Sequence, residues 1–255
     1  AIQDSLMKLK DESSKYHCVG YTVSEYVIDN ATIKNPIFQK GNILEVEILA
    51  TFLPKVVVDS MYTTIKKIGL EIRTLTLEPI AAISVVIPQD MRKLNIALVD
   101  IGAGTSDIAI SKDGKIIGYG MVPMAGDEVT ENILNEYLLD FETAEIVKKA
   151  LSDKNETVKY EDILGIEYEV EKNEIHEKID GTLETLSTKI AEKIGELNEI
   201  PPQAVIMIGG GSLVPKLKEK IAEKVSLVAG RVAIRGTEAI KNLVDDTEKV
   251  RTAEF

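Results

Sequence analysis

Two glycine-broken apolar stretches and a separate block of alternating residues place this chain in the α/β class. Ile96 to Ile110, IALVDIGAGTSDIAI, reads as a buried strand, a Gly-bearing turn and a second buried strand. Ala204 to Ser212, AVIMIGGGS, is another apolar strand that runs into three glycines ahead of a helical pattern. Upstream of both, residues 14–74 carry strand-like and helix-like periodicities of their own. The expected architecture is a large α/β domain preceded by a small α+β module.

Composition narrows the possibilities. The 255 residues are 44% apolar and 28% charged, enough for one large core or two modest ones. A net charge of -12 without any basic stripe argues against a nucleic-acid partner. Cys18 is the only cysteine, which excludes an intrachain disulfide and fits a reducing compartment. No apolar run reaches the roughly 18 residues that cross a bilayer, and no signal-sequence pattern opens the chain. The expectation is a soluble, cytoplasmic protein. Ala1 stands without Met inside a helical pattern of Ile2, Leu6 and Leu9, so the chain reads as part of something longer.

In order, residues 1–13 read as a partial helix and Tyr16 to Ser24 as a strand, and Asn35-Pro36 and Gly41-Asn42 mark turns. Leu44 to Phe52 alternates, with Glu45 and Glu47 facing water. Val56 to Ile68 spaces Val57, Met61, Ile65 and Ile68 as a helix stopped by Gly69, and Leu70 to Leu77 reads as a strand. Glu78-Pro79 opens a helix to Ile87. After the first Gly-broken stretch, Asp113-Gly114 is a tight turn and Ile116 to Val122 a third strand, completing an antiparallel meander. Gly126-Asp127 precedes a helix to Leu139, and Thr143 to Leu151 is a further helix. Ile175, Ile179, Leu183, Leu186, Ile190, Ile194 and Leu197 form one apolar stripe along a long helix that Pro201-Pro202 ends. Ser212 reads as the N-cap of a last helix bearing Pro215 in its first turn and Leu217, Ile221 and Val225 on its apolar side. His176 has no ligand-spaced companion, and His17 is far off in sequence.

The chemistry concentrates in the turn of the meander. Glycines there let backbone N–H groups of Gly102, Ala103, Gly104, Thr105 and Ser106 close on an anion, and Thr105 and Ser106 add hydroxyls. Asp100, at the end of the first strand, suits a hydrated Mg²⁺, with Asp107 across the turn. Gly209, Gly210, Gly211 and Ser212 form a Gly-rich strand-to-helix turn of the type that lets a ligand lie against backbone.

Together these segments resemble the actin-like ATPase superfamily, whose lobes have a ribonuclease-H-like fold, and within it the FtsA family of bacterial cell-division proteins. VDIGAGTSDIAI at Val99 to Ile110 is similar to the second phosphate motif, VPMAGDEVT at Val122 to Thr130 to the segment that follows it, AEIVK at Ala144 to Lys148 to the A-E-x-x-K motif, VIMIGGGS at Val205 to Ser212 to the adenosine motif, and LTLEPIAA at Leu75 to Ala82 to the segment between lobes. Ala103 departs from the pattern, standing where the family commonly has Gly. NPI at Asn35, LEVEI at Leu44 and IKKIGLEI at Ile65 resemble the small inserted SHS2-like α+β subdomain that marks FtsA and that MreB lacks.

The resemblance implies an inserted subdomain over 14–74, an inter-lobe segment over 75–93, an actin-like subdomain from 94–130 and 204–255, and a helical subdomain over 131–203. It implies ATP and Mg²⁺ as ligands. Glu78 would orient the attacking water and Asp100 would hold Mg²⁺ through water. Gly102 to Ser106 would bind phosphates and Gly126 would approach the nucleotide. Glu145 and Lys148 would flank the ribose and adenine, and Gly209 to Ser212 the adenosine. The intact protein would hydrolyse ATP slowly, and this chain, without the first phosphate motif, would be inactive alone. Implied partners are the C-terminal peptide of FtsZ on the helical subdomain and further copies in a filament. The membrane would be reached only through a C-terminal helix absent here, which places the protein at the inner face of the cell membrane at the division site. The nearest alternatives are a PilM-like pilus-assembly homologue and a nucleotide-binding scaffold without catalysis.

Overall fold

The computed structural model describes residues 15–236, which form two compact units. The first holds the described chain through Ala81 together with Lys115–Ile117, and the second holds the rest. The expected helix at 1–13 and residues 237–255 of the expected actin-like subdomain lie outside the described residues.

The first unit is built on an antiparallel sheet of order β2-β1-β3: β1 is Tyr16–Ile28, β2 Ala31–Ile33 and β3 Leu44–Pro54. Asp29 and Asn30 both take positive φ, 45° and 70°, so β1 turns into β2 through the two-residue loop that matches strand twist. The Asp29 carboxylate accepts from the amides of Asn42 and Ile43 at 2.8–3.0 Å, closing the 34–43 loop, and these bonds hold its pKa below the ordinary carboxylate value. Glu45 and Glu47 face water, as their alternation requires.

Helix α1, Lys55–Lys67, has the expected span and a different buried face. Val58 is 2% exposed, whereas Val57 and Met61 are 45% and 43% exposed. The helix presents Val58 and, two turns on, the half-buried Ile65 inward, so the stripe read from spacing is rotated by one residue and most of it faces out. Leu70 to Leu77 joins no sheet among the described residues. Ile72, Leu75 and Leu77 are half-buried there, so the apolar residues of the segment find partial cover without strand pairing. Helix α2, Glu78–Val86, follows, with Pro79 in its first turn.

The second unit is organised by a five-stranded sheet of order β10-β9-β4-β5-β6. Strands β4 (Ile96–Ile101), β5 (Ser106–Lys112) and β6 (Lys115–Val122) are consecutive, as the meander required. Strand β4 pairs antiparallel with β5 and parallel with β9 (Ala204–Ile208), which pairs parallel with β10 (Val232–Ile234). Ile96, Ala97, Leu98 and Val99 are at most 1% exposed, the continuous burial of a central strand covered on both faces.

Between β6 and β9 come α3 (Gly126–Tyr137), α4 (Phe141–Ala150), a hairpin of β7 (Thr157–Glu161) and β8 (Glu167–Glu171), and the 26-residue α5 (Lys172–Leu197). The expected stripe of α5 is buried except at its end, where Leu197 is half-buried: Ile175, Ile179, Leu183, Leu186, Ile190 and Ile194 are each at most 2% exposed, and each contributes about 1.5–3 kcal/mol of gross burial free energy. The hairpin is an addition to the helices read over 131–203, where no strand was expected. It is pinned at its turn by Asp162, whose carboxylate accepts from the Leu164 and Ile166 amides, and on one face by a row of rings, Tyr137 edge-on to Tyr160 and Tyr160 stacked on Tyr168. Lys172, 9% exposed, donates to the carbonyls of Leu151 and Asp153 where α4 ends, a cation on the negative end of a helix. His176, one turn further along α5, is 7% exposed, and burial first, then the charges of Lys216 and Lys172, lower its pKa.

Candidate functional site

The sequence-derived residues of the second unit meet at the carboxyl ends of β4 and β9. Four residues, Gly102 to Thr105, join β4 to β5, closed by the Gly102 N–H donating to the Thr105 carbonyl at 3.0 Å. The loop's outward carbonyls are held by the start of α3: the Gly126 N–H donates to Gly102 O at 3.1 Å and the Asp127 N–H to Ala103 O at 2.8 Å. First-turn amides of a helix have no partner within it, so this loop satisfies them. The amides of Ala103, Gly104 and Thr105 donate to no backbone carbonyl among the described residues, the kind of donor set an anion can take.

After β9 the chain turns through Gly209, at φ 82° and ψ 159°, into a short 3₁₀ segment, Gly210–Leu213. A Cβ on Gly209 would lie 2.4 Å from Ile101 O and 2.5 Å from Asp100 Oδ1; one on Gly211 would lie 2.6 Å from Ile101 Cγ2 and 3.0 Å from Gly102 O. One on Gly126 would stand 3.1 Å from Gly102 O, 3.3 Å from Lys148 Nζ and 3.8 Å from the Gly211 Cα. Three glycine turns far apart in sequence thus close on one another where side chains would separate them. Gly104 and Gly210 are different: a Cβ on either meets nothing within 4 Å.

Two serines act as struts. Ser106 is fully buried and its hydroxyl donates to the Met124 carbonyl at 2.8 Å, so it braces the loop from below instead of offering a phosphate donor. Ser212, 1% exposed, turns its hydroxyl back on Gly209 O at 2.6 Å. It caps no α-helix: the last α-helix among the described residues, α6, is Leu217–Lys224, preceded by Pro215 and by Lys216 at φ 68°. The expected Pro in the first turn therefore lies outside the helix, because Lys216 adopts the left-handed conformation between them.

Across the loop mouth, Asp100 and Asp107 are directly opposed in the β4-β5 register, and Thr105 Oγ1 donates to Asp107 Oδ2 at 3.3 Å. This set of hard oxygens beside the loop amides suits Mg²⁺, which takes few carboxylates and keeps its waters. No group of three or more His, Cys, Asp or Glu that could hold a metal ion occurs among the described residues.

Lys148 and Glu145 lie on α4 behind Gly126. Lys148, 9% exposed, donates from Nζ to Gly126 O at 3.1 Å and to Thr130 Oγ1 at 2.7 Å, and pairs with Glu145 Oε2 at 2.5 Å. Those contacts use all three protons of the ammonium. Burial alone would raise the Glu145 pKa; hydrogen bonds from Lys148 and Thr130 and the charges of Lys148 and Lys149 outweigh it and lower the pKa. Thr130 closes the VPMAGDEVT segment without a role of its own in the sequence, because a hydroxyl inside a helix signals nothing until its neighbour eighteen positions on is known. Glu78 stands in the first turn of α2, in the first unit.

A Gly-bearing β-hairpin and a strand-to-Gly turn at one end of a mixed sheet, with a helical layer behind, define an actin-like ATPase lobe. Solved structures agree on the fold. The type IV pilus biogenesis complex PilM-PilN aligns over 98% of this chain and 68% of that one, with a TM-score of 0.70 and 15% identity. MreB5 of Spiroplasma citri bound to AMPPNP aligns over 71% of this chain and 60% of that one, with a TM-score of 0.54 and 22% identity. The family is given by sequence: residues 97–254 match the model for cell division protein FtsA, and the chain belongs to that family. The cell division protein FtsA of Pseudomonas aeruginosa is 26% identical over 232 residues, which cover 87% of this chain and 55% of that protein. The chain spans about half the length of the curated relatives it matches.

Proposed function

We propose that this chain supplies one side of a clamp for ATP and Mg²⁺ in an FtsA-type division protein. The observation that carries the reading is the closure of Gly102, Gly126 and Gly211 on one another beside the amides of Ala103 to Thr105. In this reading the loop amides take the phosphates, Asp100 holds Mg²⁺ through water, and the Gly209 to Ser212 turn faces the adenosine. The Glu145-Lys148 pair backs the sugar side. Glu78 orients the attacking water in the intact protein, where hydrolysis is slow. Residues 14–74 serve as the inserted subdomain, 75–93 as the inter-lobe segment, 94–130 with 204–255 as the nucleotide-binding subdomain, and 131–203 as the subdomain above it. That MreB5 was solved with AMPPNP and with ADP supports a nucleotide as the ligand class.

Calorimetric titration of the chain with Mg·ATP tests the clamp. About half of the charge-assisted contacts, each worth roughly 1.5–3 kcal/mol, come from the opposing side, so binding should be far weaker than micromolar. Submicromolar affinity refutes the half-clamp.

The intact protein, in the same reading, polymerises and ties FtsZ to the inner face of the cell membrane, with the FtsZ C-terminal peptide on residues 131–203. Glu167, Glu169, Glu171, Glu174 and Glu177 make part of that surface acidic, and the Lys159-Glu169 pair shows basic groups interleaved with it. An FtsZ-tail peptide from the same organism should bind with an affinity that changes between low and physiological salt. No interaction at a few hundred micromolar with the chain folded removes the FtsZ assignment.

A further inference from the structure

We propose that Thr130 is a positioning residue for nucleotide binding: it fixes the Lys148 ammonium that carries the Gly126 turn and so sets where the phosphate loop lies. The inference rests on the nucleotide reading above. Four observations lead to it. Thr130 is fully buried on α3, with its Oγ1 2.7 Å from Lys148 Nζ, 2.7 Å from Glu145 Oε2 and 3.1 Å from Gly126 O. Because the hydroxyl accepts from Lys148, its single proton is left for Glu145 or for the Gly126 carbonyl. Lys148 holds that same carbonyl, and the N–H of Gly126 holds Gly102 O. The amide plane entering Gly126 is therefore tied to the phosphate loop, and the one leaving it is tied to Lys148 and Thr130 through its carbonyl and to the loop through the Asp127 N–H on Ala103 O.

The ammonium is buried and has no spare proton, so its part is to hold backbone, and a ligand meets it only through what it positions. Removing the Thr130 hydroxyl leaves a buried cation with one donor unmatched and Glu145 without its neutral partner. The ammonium then has to turn toward Glu145 or draw in water. Either shift loosens Gly126 and, through it, the Gly102 carbonyl.

The test is calorimetric titration of the whole chain with Mg·ADP, together with ligand-free thermal melts, for the unsubstituted protein, Thr130→Val, Thr130→Ala and Thr130→Ser. Val and Ala should weaken Mg·ADP about tenfold, the size of one lost hydrogen bond to a charged group, and Ser should stay within about twofold. Ala removes the hydroxyl without placing a methyl against the Gly126 carbonyl, so the comparison stands if Val misfolds. A purely structural residue would lower the melting temperature and leave the affinity of the folded protein unchanged. Binding by the Val or Ala variant within twofold of the unsubstituted chain, or a Ser variant as weak as Ala, overturns the inference and leaves the nucleotide reading intact. Absence of Mg·ADP binding by the unsubstituted chain at millimolar nucleotide refutes that reading and this inference with it.

Discussion

Replacing Gly209 by Ala should cost the second unit about 3 kcal/mol, whereas the same change one residue later, Gly210→Ala, should cost nothing or stabilise slightly. Gly209 sits at φ 82° and ψ 159°, a region that residues with a side chain occupy at a cost of about 1–3 kcal/mol. Its new methyl would also lie 2.4 Å from Ile101 O and 2.5 Å from Asp100 Oδ1. Ile101 belongs to a central strand and is fully buried, so the backbone must move, adding about 1–2 kcal/mol of overpacking. At Gly210 the methyl meets nothing within 4 Å, and the loss of unfolded-chain freedom favours the folded state by up to about 1 kcal/mol. Urea unfolding followed by far-ultraviolet circular dichroism measures both. For a slope near 2–3 kcal/mol per molar, the Gly209 variant should unfold about 1 M earlier with its slope unchanged. Midpoints for the two variants within about 0.2 M of each other would refute the account of this turn.

Two further outcomes follow from burial. His176 has a folded-state pKa below its unfolded value, so stability should hold above about pH 6.5 and decline as pH falls below it, with a limiting slope of about 1.4 kcal/mol per pH unit. His176→Leu should remove that slope between pH 6.5 and 5, read as the difference in unfolding midpoints; parallel curves for the two proteins would contradict the burial argument. In α1, Val58→Ala should destabilise the first unit by about 2 kcal/mol and Met61→Ala by less than about 0.5 kcal/mol, because 2% and 43% exposure separate a core residue from a surface one. Denaturation monitored on that unit, for instance by exchange of the β1 amides, checks the contrast.

What could be read from the residues alone tracks how hard the local chain constrains itself. Ala204–Ile208 is a strand with the bounds expected of it, because Pro201-Pro202 and the glycines fence an unbroken apolar run. The stripe of α5 was legible because its positions recur over about six turns, and chance does not sustain that. By contrast, TVKYE and EYEVE kept their hairpin hidden: charges fill the exposed positions, and the cause of pairing is a row of tyrosines that meet only in three dimensions. The inward side of α1 could not be fixed over a helix whose apolar residues cover more than one face. At the site, the glycine turns were legible as breaks in apolar strands. The uses of Ser106, Ser212 and Thr130 were not, since each hydroxyl is committed to a carbonyl or an ammonium whose position depends on the finished fold.

The strand order β10-β9-β4-β5-β6 also bears on how the molecule acquires its fold. Strand β4 gains β5 on one side by closing a four-residue loop and β9 on the other only after roughly 100 residues have been added; in flexible-chain terms the second closure costs about 4 kcal/mol against about 1 for the first. The meander can therefore form early, and the long-range pairing sets the pace. In the interval the β9 side of β4, with Ile96, Leu98 and Val99 along it, is an open, apolar sheet edge on a chain still being synthesised. Chaperone dependence and aggregation during expression should accordingly respond to changes in 204–208 more than to equally buried changes on α5, because β9 is the element that closes that edge.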